Sequence, residues 1–214
     1  MIRGKFISVE GADGAGKTTQ LDFIEKWLLQ RKFDLVRTRE PGGTELGERL
    51  RSILLDATEL SISDEAELLM IFAARQQHLD QLIKPALAAG KWVLSDRFTD
   101  ATYAYQGGGR GLDPGRIEIL ENWVQVGLQP DLTLVLDVSV DIGIERSTSR
   151  GADQDRFERE ALAFKQAVRE NYLSRAKRFP QRMRVVDASG SIDSVQNELE
   201  RQLLGFVSSR NGDS

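Results

Sequence analysis

The strongest chemical signal lies near the amino terminus, where Gly11 to Thr18 reads GADGAGKT. This matches the G-x-x-x-x-G-K-[ST] spacing of a phosphate-binding loop. A β-rich run, Lys5 to Val9, precedes it. Thr18 to Gln30 follows with Leu21, Ile24 and Leu28 on one helical face. Strand, glycine loop and helix in that order are what the chemistry needs. Glycines let backbone N–H groups curl around phosphate oxygens, and the helix amino terminus favours an anion. Lys17 can reach the β- and γ-phosphates of a nucleoside triphosphate, and Thr18 can ligate Mg²⁺.

What the chain lacks narrows the chemistry further. Its 214 residues include no cysteine and one histidine, His78. Thiolate nucleophiles, Cys-ligated zinc and histidine-rich metal sites are therefore excluded. There is no Asn-Lys-x-Asp guanine reader. The strand LVLDV ends in Asp137-Val138, without the glutamate with which a motor ATPase polarises water. Two classes remain, a kinase with a non-protein acceptor and a nucleotide-dependent switch.

The arginines favour the kinase. Asp96-Arg97 closes the strand WVLS, where an open parallel sheet lines its ligand crevice. Asp96 can hold a magnesium water, and Arg97 can bind a phosphate bidentately. Arg39-Glu40-Pro41-Gly42-Gly43-Thr44 ends another strand on the same edge, and Arg51 lies on the next helix. Together they point to a second anion facing the loop. A phosphomonoester, mostly dianionic near neutral pH, is already a nucleophile and needs no histidine base.

The elements that position these residues alternate strand and helix. Further strands are read at Phe33 to Thr38, Trp92 to Ser95, Leu132 to Val138 and Arg184 to Asp187. Helices are read at Gly47 to Leu55, Thr99 to Tyr105, Asp113 to Gly127, Ile142 to Thr148, Glu158 to Arg178 and Ile192 to Phe206. A single long helix is expected from Asp64 to Ala89, and the run Gly107 to Gly109 is expected to stop a helix. This pattern predicts a three-layer, doubly wound α/β domain with about five parallel strands, of the P-loop NTPase type. One domain over residues 1–207 is expected, with a polar lid at about 147–157 and a frayed tail at 208–214. Trp27, Trp92 and Trp123 read as packing residues, and His78 as a surface or capped residue. The net charge of −4 does not suit a sequence-blind nucleic-acid binder. No apolar run reaches the ~18 residues of a membrane span, so the chain reads as soluble and cytoplasmic.

The segments VEGADGAGKTTQ, REPGGT, AARQQH, LSDRF, AYQGGGRG, PDLTLVLDV, SRGADQDRFE and VVDAS, in this order over nearly the whole chain, resemble the bacterial thymidylate kinases. The resemblance implies a nucleoside monophosphate kinase, usually a homodimer, that converts dTMP and MgATP to dTDP and ADP. It implies that Gly11, Ala12, Asp13, Gly14, Ala15, Gly16, Lys17, Thr18, Thr19 and Arg146 hold ATP, with Thr18 and Asp96 towards the metal. Arg97 and Arg51, with Arg39 as a further candidate and Pro41 in the same turn, face the dTMP phosphate. Arg75 donates to thymine O4, Gln106 and Thr102 face N3, and Tyr105 walls the deoxyribose. The ring-stacking position of the family falls on Ile71. Phe72 beside it either stacks or belongs to the core. Asp13, where many members carry Glu, lies near the sugar and the magnesium waters. Gly14 stands where eukaryote-type members carry Arg, so the lid supplies that charge. Arg150 is preferred and Arg156 is the alternative. Read from local sequence alone, Arg75 is an exposed helix residue and Gln106 a loop amide.

Overall fold

The strand β1 (Phe6–Glu10) is buried along its whole length, as an apolar run covered on both faces should be. It is the centre of the fold. The computed structural model describes residues 3–55, 61–148 and 155–208. Five parallel strands lie in the order β2-β3-β1-β4-β5, with β2 at Leu35–Arg39, β3 at Trp92–Asp96, β4 at Leu132–Asp137 and β5 at Met183–Asp187. The register pairs Val9 with Asp96 and Arg39 with Asp96, so these charged residues share the carboxyl edge of the sheet. The chain winds to β2 and β3 on one side of β1 and to β4 and β5 on the other. The crevice of such a sheet opens at that switch, above β1.

Alternation along the strands sends side chains to two faces. Ile7, Val9, Leu134 and Leu136 pack with α1 (Lys17–Gln30) and α9 (Ile192–Ser208). Phe6 and Val93 pack on the other face with Leu68, Phe72 and Ile117 of α3 (Asp64–His78) and α6 (Pro114–Gln125). The remaining helices are α2 (Glu45–Leu55), α4 (Lys84–Ala88), α5 (Thr99–Thr102), α7 (Val140–Thr148) and α8 (Leu162–Arg178).

Two helical expectations change. The long helix from Asp64 is not uniformly α-helical: a π-helical turn at Leu79–Ile83 separates α3 from α4. Pro85 explains its place. Proline has no N–H for the preceding turn and its ring crowds the carbonyl four residues back, which a widened turn relieves. The glycine run does not stop its helix either. After α5 the chain continues as a π-helical segment, Tyr103–Gly109. A Cβ on Gly108 would lie 2.8 Å from the Ala167 carbonyl oxygen and 2.9 Å from Asn171 Cβ. The bare backbone lets α8 press against this segment, which carries Tyr105 and Gln106. Trp27 and Trp92 are buried as expected, but Trp123 is 76% exposed.

Candidate active site

The loop between β1 and α1 is shaped by contacts that tolerate only glycine. Gly14 has a left-handed φ of 78°, and a Cβ there would lie 2.0 Å from the Gly143 carbonyl oxygen of α7. No side chain fits at Gly14, so an arginine cannot be supplied from that position. Gly16, at φ 83°, leads into α1. Lys17 folds back over the loop, its Nζ donating to the carbonyls of Gly11 (3.0 Å) and Ala12 (3.1 Å). Burial, and then the nearby Arg97 charge, push the Lys17 pKa down to about 8. Thr19 in the first turn of α1 and Arg146 in the last turn of α7 line a cleft with Gly16, Ala188 and Gly190. Arg146 Nη1 donates to the Ala188 carbonyl at 2.8 Å.

The carboxyl end of β3 supplies the second cation. Arg97 sits at φ 68°, a strained conformation for a residue with a Cβ. Hydrogen bonds on both sides hold it there. Its N–H donates to the Val9 carbonyl (3.0 Å), its own carbonyl accepts from Ser95 Oγ (2.7 Å), and the next N–H, of Phe98, donates to Glu10 Oε1 (2.7 Å). Burial, with the Asp100 charge, pushes Glu10 up to about 8. Arg97 Nη2 then donates to Asp13 Oδ1 (2.9 Å) and to the Tyr105 hydroxyl oxygen (2.6 Å). Burial would raise the Asp13 pKa, but the Arg97 and Lys17 charges outweigh it and hold the carboxyl below its usual range. Burial pushes Tyr105 up, so it stays a neutral phenol.

Asp13, Pro41, Arg51, Arg97 and Tyr105 line one pocket, which continues to Arg75, Thr102 and Gln106. Arg51 Nη1 donates to the Pro41 carbonyl at 2.9 Å. The apolar walls include Leu54, Ile71, Phe98 and Phe157. Arg75 is 2% exposed, despite its surface-like sequence. Its Nε donates to Glu40 Oε2 (2.7 Å) and its Nη2 to Thr102 Oγ1 (2.9 Å), while the buried Nη1 has no hydrogen-bond partner among the described residues. A buried donor left open at a pocket wall is available to a ligand acceptor. Glu40 also accepts from His78 Nδ1 (3.0 Å), and the Thr38 hydroxyl lies 2.7 Å from Nε2. His78 is thus fully buried and serves to hold Glu40. Gln106 Nε2 donates to Glu67 Oε1 at 2.7 Å, leaving Oε1 as the acceptor for a ligand.

Three expectations are corrected. Phe72 does not line the pocket. It packs in the core, and the Arg75 guanidinium lies 4.8 Å from its ring, so it supports the arginine from beneath while Ile71 takes the wall position. Arg39 also lies outside this pocket, its Nη2 paired with Glu48 Oε2 at 2.7 Å. It borders an adjoining cleft with Thr18 and Asp96. Arg156, the alternative lid charge, places Nη2 2.5 Å from Glu67 Oε2. Arg150 lies outside the described residues. Asp96 Oδ1 is buried without a hydrogen bond among the described residues, 3.9 Å from Arg97 Nη1. Beside Thr18 it gives the hard oxygen donors that suit Mg²⁺.

Sequence reading missed Glu40 and Glu67 as site residues. Glu40 lies inside the REPGGT segment, a signal that was available. Glu67 is one of three acidic residues in the first turn of α3 and had no distinguishing mark.

Comparison with known proteins identifies the family. The family profile described as Thymidylate kinase matches residues 9–199. A thymidylate kinase of Pseudomonas putida (strain GB-1) is 53% identical over 206 residues, covering 96% of this chain and 98% of the relative. A thymidylate kinase of Chromohalobacter salexigens is 54% identical over 210 residues, covering 98% and 99%. The crystal structure of thymidylate kinase from Ehrlichia chaffeensis superposes with a TM-score of 0.76 at 35% identity, covering 94% of this chain and 99% of that one. With a phosphate loop at β1, an arginine-lined second pocket and relatives matching almost end to end, the chain belongs to the thymidylate kinase family.

Proposed function

We propose that the chain transfers the γ-phosphoryl group of ATP to dTMP, giving dTDP and ADP on the route to dTTP for DNA synthesis. The observation that carries this reading is the open Nη1 of buried Arg75 in the same pocket as Gln106. Thymine offers an O4 acceptor and an N3–H donor, and cytosine reverses both. Arg75 meets the first and Gln106 Oε1 the second. Tyr105, pressed between Phe157 and Phe164, walls the sugar.

Arg51 and Arg97 bind the acceptor phosphate. One of its oxygens attacks the γ-phosphorus of ATP in line, while the bond to the β,γ-bridging oxygen breaks and ADP departs. No proton needs removal, so no base is required. The barrier falls through positioning and cancelled charge. Lys17 leaves its loop carbonyls for the β- and γ-phosphates, and Arg97 is already aimed by Asp13. Thr18 and Asp96 would hold Mg²⁺, directly or through its waters. When bound, it offsets the charge on the transferring group. Gly14 cannot carry an arginine and Arg156 is engaged by Glu67, which leaves Arg150 as the cation that closes over the donor.

An exposed apolar set on neighbouring helices supports a homodimer: Leu69 on α3, and Ile119 and Trp123 on α6, are all more than half exposed. Monomers rarely leave large apolar side chains clustered in water. Trp123→Glu is expected to halve the molecular mass measured by light scattering, and an unchanged mass rejects this face. No helix among the described residues is long and apolar enough to cross a membrane. The reading assigns the enzyme to the cytoplasm, with cell fractionation as its check.

A coupled ADP-release assay across dTMP, dCMP, UMP and dGMP tests the reaction. dTMP is expected to give the highest kcat/KM, and preference for another acceptor rejects the reading. In the same assay Arg150→Ala should lower kcat by roughly 10³-fold with KM for dTMP little changed, whereas an effect confined to that KM rejects the donor role. The pH profile provides a separate test. Lys17 loses its charge above about pH 8 in the free protein, so kcat/KM for ATP should fall through that pH. Bound ATP raises the lysine's pKa, so kcat at saturating ATP should hold to higher pH. A profile for kcat/KM that stays flat to pH 10 contradicts the Lys17 assignment.

A further inference from the structure

Behind the base pocket lies a buried carboxylate that the reaction described so far does not use. Glu67 is fully buried on α3. Gln106 Nε2 donates to its Oε1 at 2.7 Å, and Arg110 Nη2 to its Oε2 at 3.3 Å. Arg156 Nη2 lies 2.5 Å from the same Oε2. Arg110 is held in turn by Glu160, which also follows the lid segment in the chain. One carboxylate therefore joins the base-reading amide to two arginines, one of them at the carboxyl end of the lid segment.

The chemistry of the pair sets a direction. An ionised carboxylate only accepts hydrogen bonds, whereas a glutamine amide can present either end. Beside Glu67, Gln106 must turn its NH₂ inwards and keep Oε1 as the free acceptor. That is the polarity that selects an N3–H donor and rejects the unprotonated N3 of cytosine. The two arginines set positive charge against the Glu67 carboxyl in a dry site, where an unpaired carboxylate would be too costly. Among the described residues Arg156 Nη2 pairs with Glu67 Oε2, and its buried Nη1 has no hydrogen bond there. Glu67 is thus the carboxylate that seats its guanidinium among the described residues.

We propose that Glu67 is a positioning residue that fixes the polarity of the Gln106 amide and ties base recognition to the seating of Arg156. The proposal rests on the reading of Gln106 as the contact to thymine N3–H. A replacement at position 67 that can itself donate removes the constraint. In Glu67→Gln, the new amide can face either end of Gln106, so the pocket no longer distinguishes donor from acceptor.

The test measures kcat and KM for dTMP and dCMP in the full-length enzyme, for wild type, Glu67→Gln, Gln106→Ala and the double variant, with a thermal melt of each. Glu67→Gln should reduce the dTMP-to-dCMP ratio of kcat/KM about tenfold, mainly through a higher KM for dTMP. In the Gln106→Ala background it should reduce that ratio no further. A purely structural role would lower kcat/KM equally for both acceptors, or add its full effect in the double variant, and either result overturns the proposal. Gln106→Ala with unchanged selectivity overturns the base-contact reading itself, a failure distinct from that of Glu67. Should Glu67→Gln not fold, Arg156→Gln leaves the carboxylate in place. It should raise KM for dTMP and lower the same selectivity ratio, and unchanged selectivity overturns the coupling.

Discussion

The ion pair between Arg97 and Asp13 is the interaction on which the site depends. It joins the end of β3 to the phosphate loop, and so joins the cation proposed for the acceptor to the cradle proposed for the donor. Two polyanions repel each other, and catalysis has to hold them together before any bond changes. A guanidinium fixed by a carboxylate and a phenol is already oriented when the acceptor arrives. Little side-chain entropy remains to be lost at binding. The strained backbone of Arg97 is the cost of that aim. It is offset by the hydrogen bonds that hold the turn, to the Val9 carbonyl and the Glu10 carboxyl and from the Ser95 hydroxyl.

Those supports belong to a larger buried polar layer. Tyr172 donates to Glu10 Oε2 at 2.9 Å, and Arg175 and Arg182 pair with the fully buried Asp100 at 2.7 and 2.6 Å. Burial would raise Asp100, but the two arginines hold it below its usual range. Glu10, lacking such a cation in contact, moves the other way. Two neighbouring carboxylates thus avoid sharing full negative charge inside the core. Breaking a buried pair leaves an uncompensated charge, whereas the intact layer holds α5, α8 and the ends of β1 and β3 in one arrangement. The base pocket repeats the device with Glu40 under Arg75 and Glu67 under Gln106. In each case a carboxylate behind the pocket wall holds the side chain proposed to face the ligand.

Much of this was legible in the sequence. GADGAGKT between a strand and a helix fixes the donor site, because the glycine positions and the lysine leave few other uses. Asp96-Arg97 at a strand end points to the proposed acceptor site for a similar reason. The parallel sheet follows from the alternation of elements. The failures concern long-range packing. Arg75 and an exposed helical arginine look alike until the partner Glu40, 35 positions earlier, is placed. Ile71 and Phe72 differ by one position on a helix, and periodicity alone does not orient that face to better than a neighbour. The π-helical turns arise where Pro85 interrupts a ladder and where bare glycines admit α8, effects of context that residue propensity does not capture. Glu67 and Arg156 meet across most of the site, and no local pattern marks either.

The central claim is that Arg97, held ready by Asp13, reads a phosphate on the acceptor. Its most direct test is calorimetric binding of dTMP and of thymidine to wild type and to Arg97→Ala. The account predicts that wild type prefers dTMP strongly, and that Arg97→Ala loses about 10- to 100-fold of dTMP affinity while thymidine affinity stays nearly constant. An equal loss for both ligands, or an unchanged preference for dTMP, would contradict it.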